Sequence, residues 1–437
     1  MDRVLVAFSG GVDSTLVLAI AHEVLGENVL AVTAKSDSVP DREREACRQL
    51  SQEIGAEHIF IQTNEMNNPS YQANPANRCY HCKTELYSCL KKVAEEKQFP
   101  YILNGINTND LGDYRPGIDA ARENEVRSPL VEAGFNKQDI RDLARQMELS
   151  IWDKPAMACL SSRIPYGEQV THEKLKRIEK AEDLLLNKVE NIIGSKEFNT
   201  HKNLVDLLFQ DKRAFYIGEN LNYLQILKKL KQNGLLNLRL PRPKEIIVKF
   251  ETNLDPIKSL KILNDSLKSL GYYYYFTKST KYDGAGNLIW SIKLKTSYAI
   301  DPMILAMELA NHESRIKDIT REENDTWKYV INTQNAKISD ALYVDTNEKV
   351  ILQKPLKPYF IKIGVAKTLK ILSRRLNNWH PHIVFYDKHL TVLRVIKKDR
   401  VFKGLSVRVP EGSTYIKIAD LYTLINIKRG LSIITKE

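Results

Sequence analysis

The sequence predicts an α/β protein: a doubly wound parallel sheet at the amino-terminal end, then a ferredoxin-like α+β domain, then an all-β module. Three observations predict it. Short β-rich runs alternate with helix patterns over the first 150 residues, a strand–helix–strand unit is written twice after about residue 244, and Ala341–Glu437 holds only short strands separated by turn residues.

Val4–Phe8, Val29–Thr33, His58–Ile61 and Tyr101–Asn104 are the expected amino-terminal strands. In the first helix Leu16, Val17, Ile20, Ala21 and Val24 recur at helical spacing, so one face is expected on the sheet. Asp41 opens the second helix, and Asn136 with Asp139 has the spacing of a capping box. Ligands of such sheets sit beyond the carboxyl ends of the strands, which is where Ser9-Gly10-Gly11-Val12-Asp13-Ser14-Thr15 lies.

That segment reads as a pyrophosphate-binding loop for ATP. A helix start leaves backbone N–H groups without intrahelical partners, and phosphate oxygens satisfy them. Gly10 and Gly11 let the backbone approach an anion, Ser9 and Ser14 add hydroxyl donors, and Asp13 suits the Mg²⁺ of a triphosphate. The Walker lysine is absent, and the pattern resembles the PP-loop ATP pyrophosphatases, which cleave between the α- and β-phosphates. Downstream, Asn104–Gly117 is a polar loop at a strand end. In it Asp110 or Asp113 can hold the metal, while Arg115 and, further on, Arg127 can neutralise phosphates. Thr33, Ser36 and Gly105 complete the expected nucleotide set.

Three thiols invite a metal: Cys79 and Cys82 in a CxxC, and Cys159 in KPAMACLSSR. A structural zinc site wants four protein ligands, whereas a three-cysteine iron–sulfur cluster leaves one iron open. The other reading is a reduced CxxC turn with a buried Cys159. Cys47 and Cys89 fall in helical patterns and are expected to be structural.

A domain boundary is expected near 187–200, with a helical linker region over 187–243. Asp255-Pro256 and Asp301-Pro302, 46 residues apart, each offer an N-cap followed by proline. Each follows a strand pattern (Ile246–Phe250, Ile289–Lys295) and precedes a helix and a second strand (Tyr272–Thr277, Arg315–Ile319). This duplicated unit places the ferredoxin-like domain at 244–333 and the all-β module at 334–437.

Charge divides the chain in two. Residues 1–186 carry 22 Lys+Arg against 29 Asp+Glu, a net −7, and 187–437 carry 43 against 25, a net +18. A surplus of that size suits either an anionic partner or an ordinary lysine-rich surface. Five cysteines, short apolar runs and an amino terminus that opens on a strand and loop point to a reduced, cytoplasmic setting without membrane insertion.

SGGVDS, NRCYHCK, NGINTNDLGDYRPG, RSPL and WDKPAMACLSSRIPYG, in that order, resemble the LarE-type sulfur transferases over residues 1–186. The resemblance implies ATP-dependent adenylation of pyridinium-3,5-biscarboxylic acid mononucleotide and displacement of AMP by sulfur, in nickel-pincer nucleotide synthesis. It implies the cluster-bearing kind of member, because Ala158 stands where a sacrificial cysteine is expected and Cys159 follows it. ATP, Mg²⁺ and a 4Fe-4S cluster on Cys79, Cys82 and Cys159 are then the cofactors. Cys159, Asp13 and Arg163 are the catalytic residues, sulfide is the donor, and a homo-oligomer is expected. The family's Arg-rich strand and acidic positions after Thr171-His172 are not found, so 187–437 reads as something else. Two other readings are a tRNA-thiolating PP-loop enzyme and a binding protein whose second half carries the function. An RRM-like aromatic signature at Tyr272–Phe276 would favour the first, although a buried strand accounts for those tyrosines equally.

Overall fold

The computed structural model describes residues 1–112, 116–253, 255–283, 286–322 and 326–437. It divides into two compact units, 1–187 with 196–214, and 188–195 with 215–437.

In the first unit β1 (Val4–Ala7), β2 (Val29–Lys35), β3 (Glu57–Gln62) and β4 (Tyr101–Leu103) form an all-parallel sheet in the order β3-β2-β1-β4. Its helices are α1 (Val12–Leu25), α2 (Asp41–Ile54), α3 (Pro69–Gln72), α4 (Arg78–Glu96), α5 (Pro116–Glu123), α6 (Pro129–Glu132), α7 (Lys137–Gln146), α8 (His172–Ile193), α9 (Ser195–Thr200) and α10 (Lys202–Leu208). Residue alternation along the strands separates two cores. Val4, Val6, Val29, Ala31 and Leu103 pack with α1, α2 and α7, whereas Leu5, Leu30, Val32 and Ile102 pack with α4 and α5. Both faces are covered, so central β1 reads as an unbroken apolar run and the sheet is doubly wound. The capping box at Asn136 and Asp139 is formed. Val24 departs from the expected stripe: it is exposed in the last turn of α1, beyond the reach of the sheet.

The strand order fixes the site. From β1 the chain winds outward through β2 and β3, then returns to place β4 on the other side of β1. The topological switch, where doubly wound sheets open a crevice, therefore lies between the carboxyl ends of β1 and β4.

The second unit begins with a hairpin of β5 (Tyr216–Ile217) and β6 (Asn220–Leu221) and the helix α11 (Tyr223–Gln232). Next come β7 (Arg239–Asn253), α12 (Pro256–Ser269), β8 (Phe276–Tyr282), β9 (Leu288–Tyr298), α13 (Pro302–Asn311), β10 (Arg315–Glu322) and β11 (Thr326–Asn332). The strands form one mixed sheet in the order β10-β11-β7-β9-β8. Strand β9 lies between β7 and β8, the split βαβ arrangement of ferredoxin-like domains, and β11 adds a fifth strand parallel to β7. Phe250, Trp290 and Tyr329 stack across its buried face.

Two details depart from the sequence reading. Asp301 caps α13 by accepting from the N–H groups of Met303 and Ile304, but Asp255 takes a left-handed conformation, φ 46°, makes no cap hydrogen bond and pairs with His389. Tyr272–Tyr275 precede β8 and do not form a strand; Tyr273 and Tyr274 stand exposed with Phe276, because β8 is an edge strand.

The remainder is a β-sandwich. The strands are β12 (Leu342–Val344), β13 (Lys349–Ile351), β14 (Tyr359–Ile363), β15 (Thr368–Ser373), β16 (Pro381–Tyr386), β17 (Val392–Lys397), β18 (Gly404–Arg408), β19 (Tyr415–Asp420) and β20 (Leu431–Lys436). Sheets β12-β14-β19-β16-β17 and β13-β20-β15-β18 share one core around Trp379, Ile371, Phe385, Ile418 and Ile433. No helix among the described residues is long and apolar enough to cross a membrane.

Candidate active site

The loop after β1 is built as a phosphate cradle. Gly10 has φ +65°, which a side chain would strain, and a Cβ there would also meet the Cys47 Sγ at 2.8 Å. The Ser14 Oγ donates to the Gly11 carbonyl at 3.2 Å and accepts the Ser9 N–H at 3.3 Å, with the Ser9 Oγ at 3.0 Å. The Thr15 hydroxyl donates to the Gly11 carbonyl at 2.9 Å. Asp13 lies in the first turn of α1.

Across the switch point, Gly105 brings the loop after β4 into backbone contact with this cradle. A Cβ on Gly105 would lie 2.7 Å from the Ser14 nitrogen and 3.0 Å from the Asp13 carbonyl carbon. In the same loop Asn104 and Asn107 are buried, and their carboxamide oxygens accept from the N–H groups of Ile106 and Asn109. Among the described residues their amide nitrogens have no hydrogen-bond partner, so two buried donors remain for a ligand. Asp110 is buried and accepts from the Asn107 N–H at 3.2 Å, with Lys137 Nζ at 3.8 Å. Ser9, Gly10, Gly11, Asp13, Ser14 and Gly105 are thus brought together, with Asp110 in the loop that follows.

Thr33 and Ser36 lie at the end of β2. The Thr33 hydroxyl donates to the Phe8 carbonyl at 2.8 Å and accepts from His58 Nε2 at 2.8 Å; the Ser36 hydroxyl donates to buried Glu65. Burial, helped by Arg48, pushes the His58 imidazole from 6.5 down to about 4. Protonation is resisted only in the folded state, so stability is full above pH 6.5 and declines as pH falls toward 4. The urea midpoint of the wild type is expected to drop across that window, and His58→Gln to flatten the slope.

The Arg127 backbone bridges Leu103, and its carbonyl accepts from the Asn104 N–H at 3.0 Å at the carboxyl end of β4, but its guanidinium pairs with Glu132 and lies 6.0 Å from the ring centre of Tyr101. Arg115 and Asp113 lie outside the described residues. Arg163 joins an ionic cluster, where its Nε donates to Glu182 at 3.0 Å beside Arg42 at 3.1 Å and Lys212 at 2.7 Å. Burial alone would raise the Glu182 carboxyl, but Lys212 and Arg163 hold it below the usual range.

The CxxC occupies the first turn of α4, with Cys79 exposed and Cys82 partly buried, and Cys159 precedes the turn Leu160–Arg163. Burial pushes the Cys82 thiol up to about 12, and the nearby charges of Glu65, Cys159 and Cys79 add to the effect. Among the described residues no three His, Cys, Asp or Glu side chains gather closely enough to hold a single metal ion.

Sequence reasoning passed over the residues that tie these pieces together. Buried Arg78, beside Cys79, donates to the Ser161 carbonyl at 3.0 Å and to Asn74 Oδ1, joining the CxxC helix to the Cys159 segment. Asn74 donates in turn to the Pro165 carbonyl at 2.7 Å. Lys154 Nζ donates to the Gly10 carbonyl at 3.1 Å and to Glu43 at 2.9 Å, joining the Cys159 segment to the cradle. Both cations stand inside the motifs NRCYHCK and WDKPAMACLSSRIPYG, but nothing local marks either as buried.

A family model described as queuosine biosynthesis protein QueC matches residues 3–80. An uncharacterized protein of Synechocystis is 51% identical over 182 residues, 42% of this chain and 68% of that protein. The pyridinium-3,5-bisthiocarboxylic acid mononucleotide synthase of Lactiplantibacillus plantarum is 40% identical over 186 residues, 42% of this chain and 67% of that protein. An uncharacterized protein of Methanocaldococcus jannaschii is 27% identical over 232 residues, 53% and 86% of the two chains.

Proposed function

Because this chain belongs, through its amino-terminal part, to the LarE-type family of PP-loop ATP-dependent sulfur transferases, we propose that it adenylates a carboxylate of pyridinium-3,5-biscarboxylic acid mononucleotide and exchanges AMP for sulfur, toward a nickel-pincer nucleotide. The observation that carries this reading is the joining of the Cys159 segment both to the phosphate cradle, through Lys154, and to the CxxC helix, through Arg78.

In the first step a carboxylate oxygen attacks the α-phosphorus of ATP, and the bond to the bridging oxygen breaks to release pyrophosphate. The N–H groups at the start of α1 and the hydroxyls of Ser9 and Ser14 take up charge on the departing phosphates. Asp13 and Asp110 would hold Mg²⁺, and the amides of Asn104 and Asn107 supply further donors. In the second step a C–S bond forms as the C–O bond to AMP breaks, leaving a thiocarboxylate.

Three thiols on two segments tied by Arg78 suit an iron–sulfur cluster, whose thiolate ligands stand farther apart than those of a single ion. Cys79, Cys82 and Cys159 would hold it. When bound, such a cluster supplies an open iron at which added sulfide is kept for delivery. Arg163, through Glu182, anchors the carboxyl end of the Cys159 turn.

The test is an anaerobic reaction of cluster-reconstituted protein with ATP, Mg²⁺, sulfide and the biscarboxylate mononucleotide, followed by mass spectrometry. Cys159→Ala is expected to lower thiocarboxylate formation by about a hundredfold or more while leaving ATP–pyrophosphate exchange within about twofold. Undiminished product would remove Cys159 from sulfur delivery. Exposed Tyr274 and Phe276 near Lys278 and Lys281 favour RNA as a second acceptor; thiolated nucleoside in a parallel reaction with RNA, without thiocarboxylate, would move the reading there.

A further inference from the structure

We propose that Lys154 is a positioning residue that couples nucleotide on the cradle to the setting of the Cys159 segment, an inference that rests on the ATP-dependent reading above. The lysine is 9% exposed, and its ammonium is shared between one carbonyl and one carboxylate. A charge so enclosed is retained where it is paired and hydrogen-bonded, and it fixes the geometry of its partners.

The carbonyl it holds is that of Gly10. In a trans peptide the C=O and the following N–H point in opposite directions, and the chain contains no cis peptide among its described residues. Drawing the Gly10 oxygen toward Lys154 therefore turns the Gly11 N–H the other way. Lys154 thus sets the donor geometry of the cradle from behind, without touching the phosphate. Gly10 can obey because its φ of +65° is open to glycine.

The same lysine roots the thiol segment. Five residues on is Cys159, and the segment is held again where the Leu160 N–H donates to the Ser38 carbonyl at 2.9 Å and where Arg78 reaches the Ser161 carbonyl at 3.0 Å. An anion on the Gly11 N–H polarises the peptide and strengthens the Gly10 carbonyl as an acceptor, so nucleotide tightens the Lys154 tie. Linkage makes the effect reciprocal: whatever loosens that tie weakens nucleotide binding. The adenylate would then form only beside a thiol segment already locked in place.

Hydrogen–deuterium exchange of the full chain, with and without Mg²⁺·ATP, tests this by reading residues 8–18 and 151–163 separately. In the wild type ATP is expected to slow exchange in both. In Lys154→Met the ATP dissociation constant is expected to rise about tenfold; at saturating ATP residues 8–18 are still protected, and 151–163 no longer respond. Protection of 8–18 without any response at 151–163 in the wild type, or a full response in Lys154→Met, overturns the coupling and leaves the ATP reading standing. No protection anywhere overturns the ATP reading and the coupling with it. If Lys154→Met does not fold, Lys154→Arg serves: its longer fork cannot hold the same single carbonyl, so the response at 151–163 should fall at least about twofold, and an undiminished one overturns the proposal.

Discussion

Gly105→Ala is expected to weaken ATP binding by about a hundredfold or more, the scale that a displacement of about 1 Å costs at a reacting centre. The added methyl carbon would stand 2.7 Å from the Ser14 nitrogen, with the Asp13 carbonyl carbon and the Ser14 Cα each at 3.0 Å. All three are backbone atoms, so no side-chain rotation relieves the contact and either the start of α1 or the loop after β4 must move. The movement separates the two walls of the crevice at the switch point. Equilibrium binding of ATP measures the loss, and circular dichroism checks that the sheet persists. Gly112→Ala is the control, since no atom of the described residues lies within 4 Å of a Cβ there; equal loss in both variants would refute the argument.

Arg78→Met should have the second largest effect, here on stability and on the thiol segment together. Arg78 is 3% exposed and gives its hydrogens to the Ser161 carbonyl and to Asn74. Methionine fills the volume but leaves Asn74 Oδ1 without its donor, at about 1–3 kcal/mol, while the Ser161 carbonyl keeps the Ile164 N–H at 3.1 Å. The melting temperature is expected to fall by about 2–12 °C on that basis. Residues 159–165 should exchange amide hydrogens faster than in the wild type while residues 8–18 are unchanged. Both bonds leave the same guanidinium nitrogen, so Arg78→Lys, whose ammonium carries three donors on one nitrogen, is expected to recover part of the loss. A melting temperature within about 1 °C of wild type would show that the segments are held by something else.

Much of the fold could be read from the chain because the central strands β1 and β2 are buried on both sides, so Val4–Phe8 stands out as an apolar run. The cradle was legible for a different reason: its work is done by backbone, and backbone freedom is written in Gly10 and Gly11. Buried cations leave no such mark. Lys154 meets its carbonyl 144 residues away and Arg78 meets Ser161 at a separation of 83, so both look like surface charges in sequence. Arg127 and Arg163 were singled out for their charge, and the carboxylates of Glu132 and Glu182 hold them. Asp255 and Asp301 share one local signature, yet tertiary pairing with His389 drew the first out of its cap. The order of the three thiols was plain, but their spacing depends on how α4 and the Cys159 turn are tied, which is a property of the folded unit.

The cation that reaches Glu182 from Lys212 has a bearing on inheritance. The chain leaves the first unit at Lys188 and re-enters it at Lys196, so Lys212 belongs to that unit despite lying past the stretch that resembles the family. A splice at the end of the likeness would strand a buried acid without one of its counter-charges, a costly vacancy in a protein interior. The smallest piece that recombination can trade intact therefore extends to about Ala214. The 186-residue likeness falls short of that seam in length, whereas the 232-residue one is long enough to run past it, as an exchangeable piece of this kind requires.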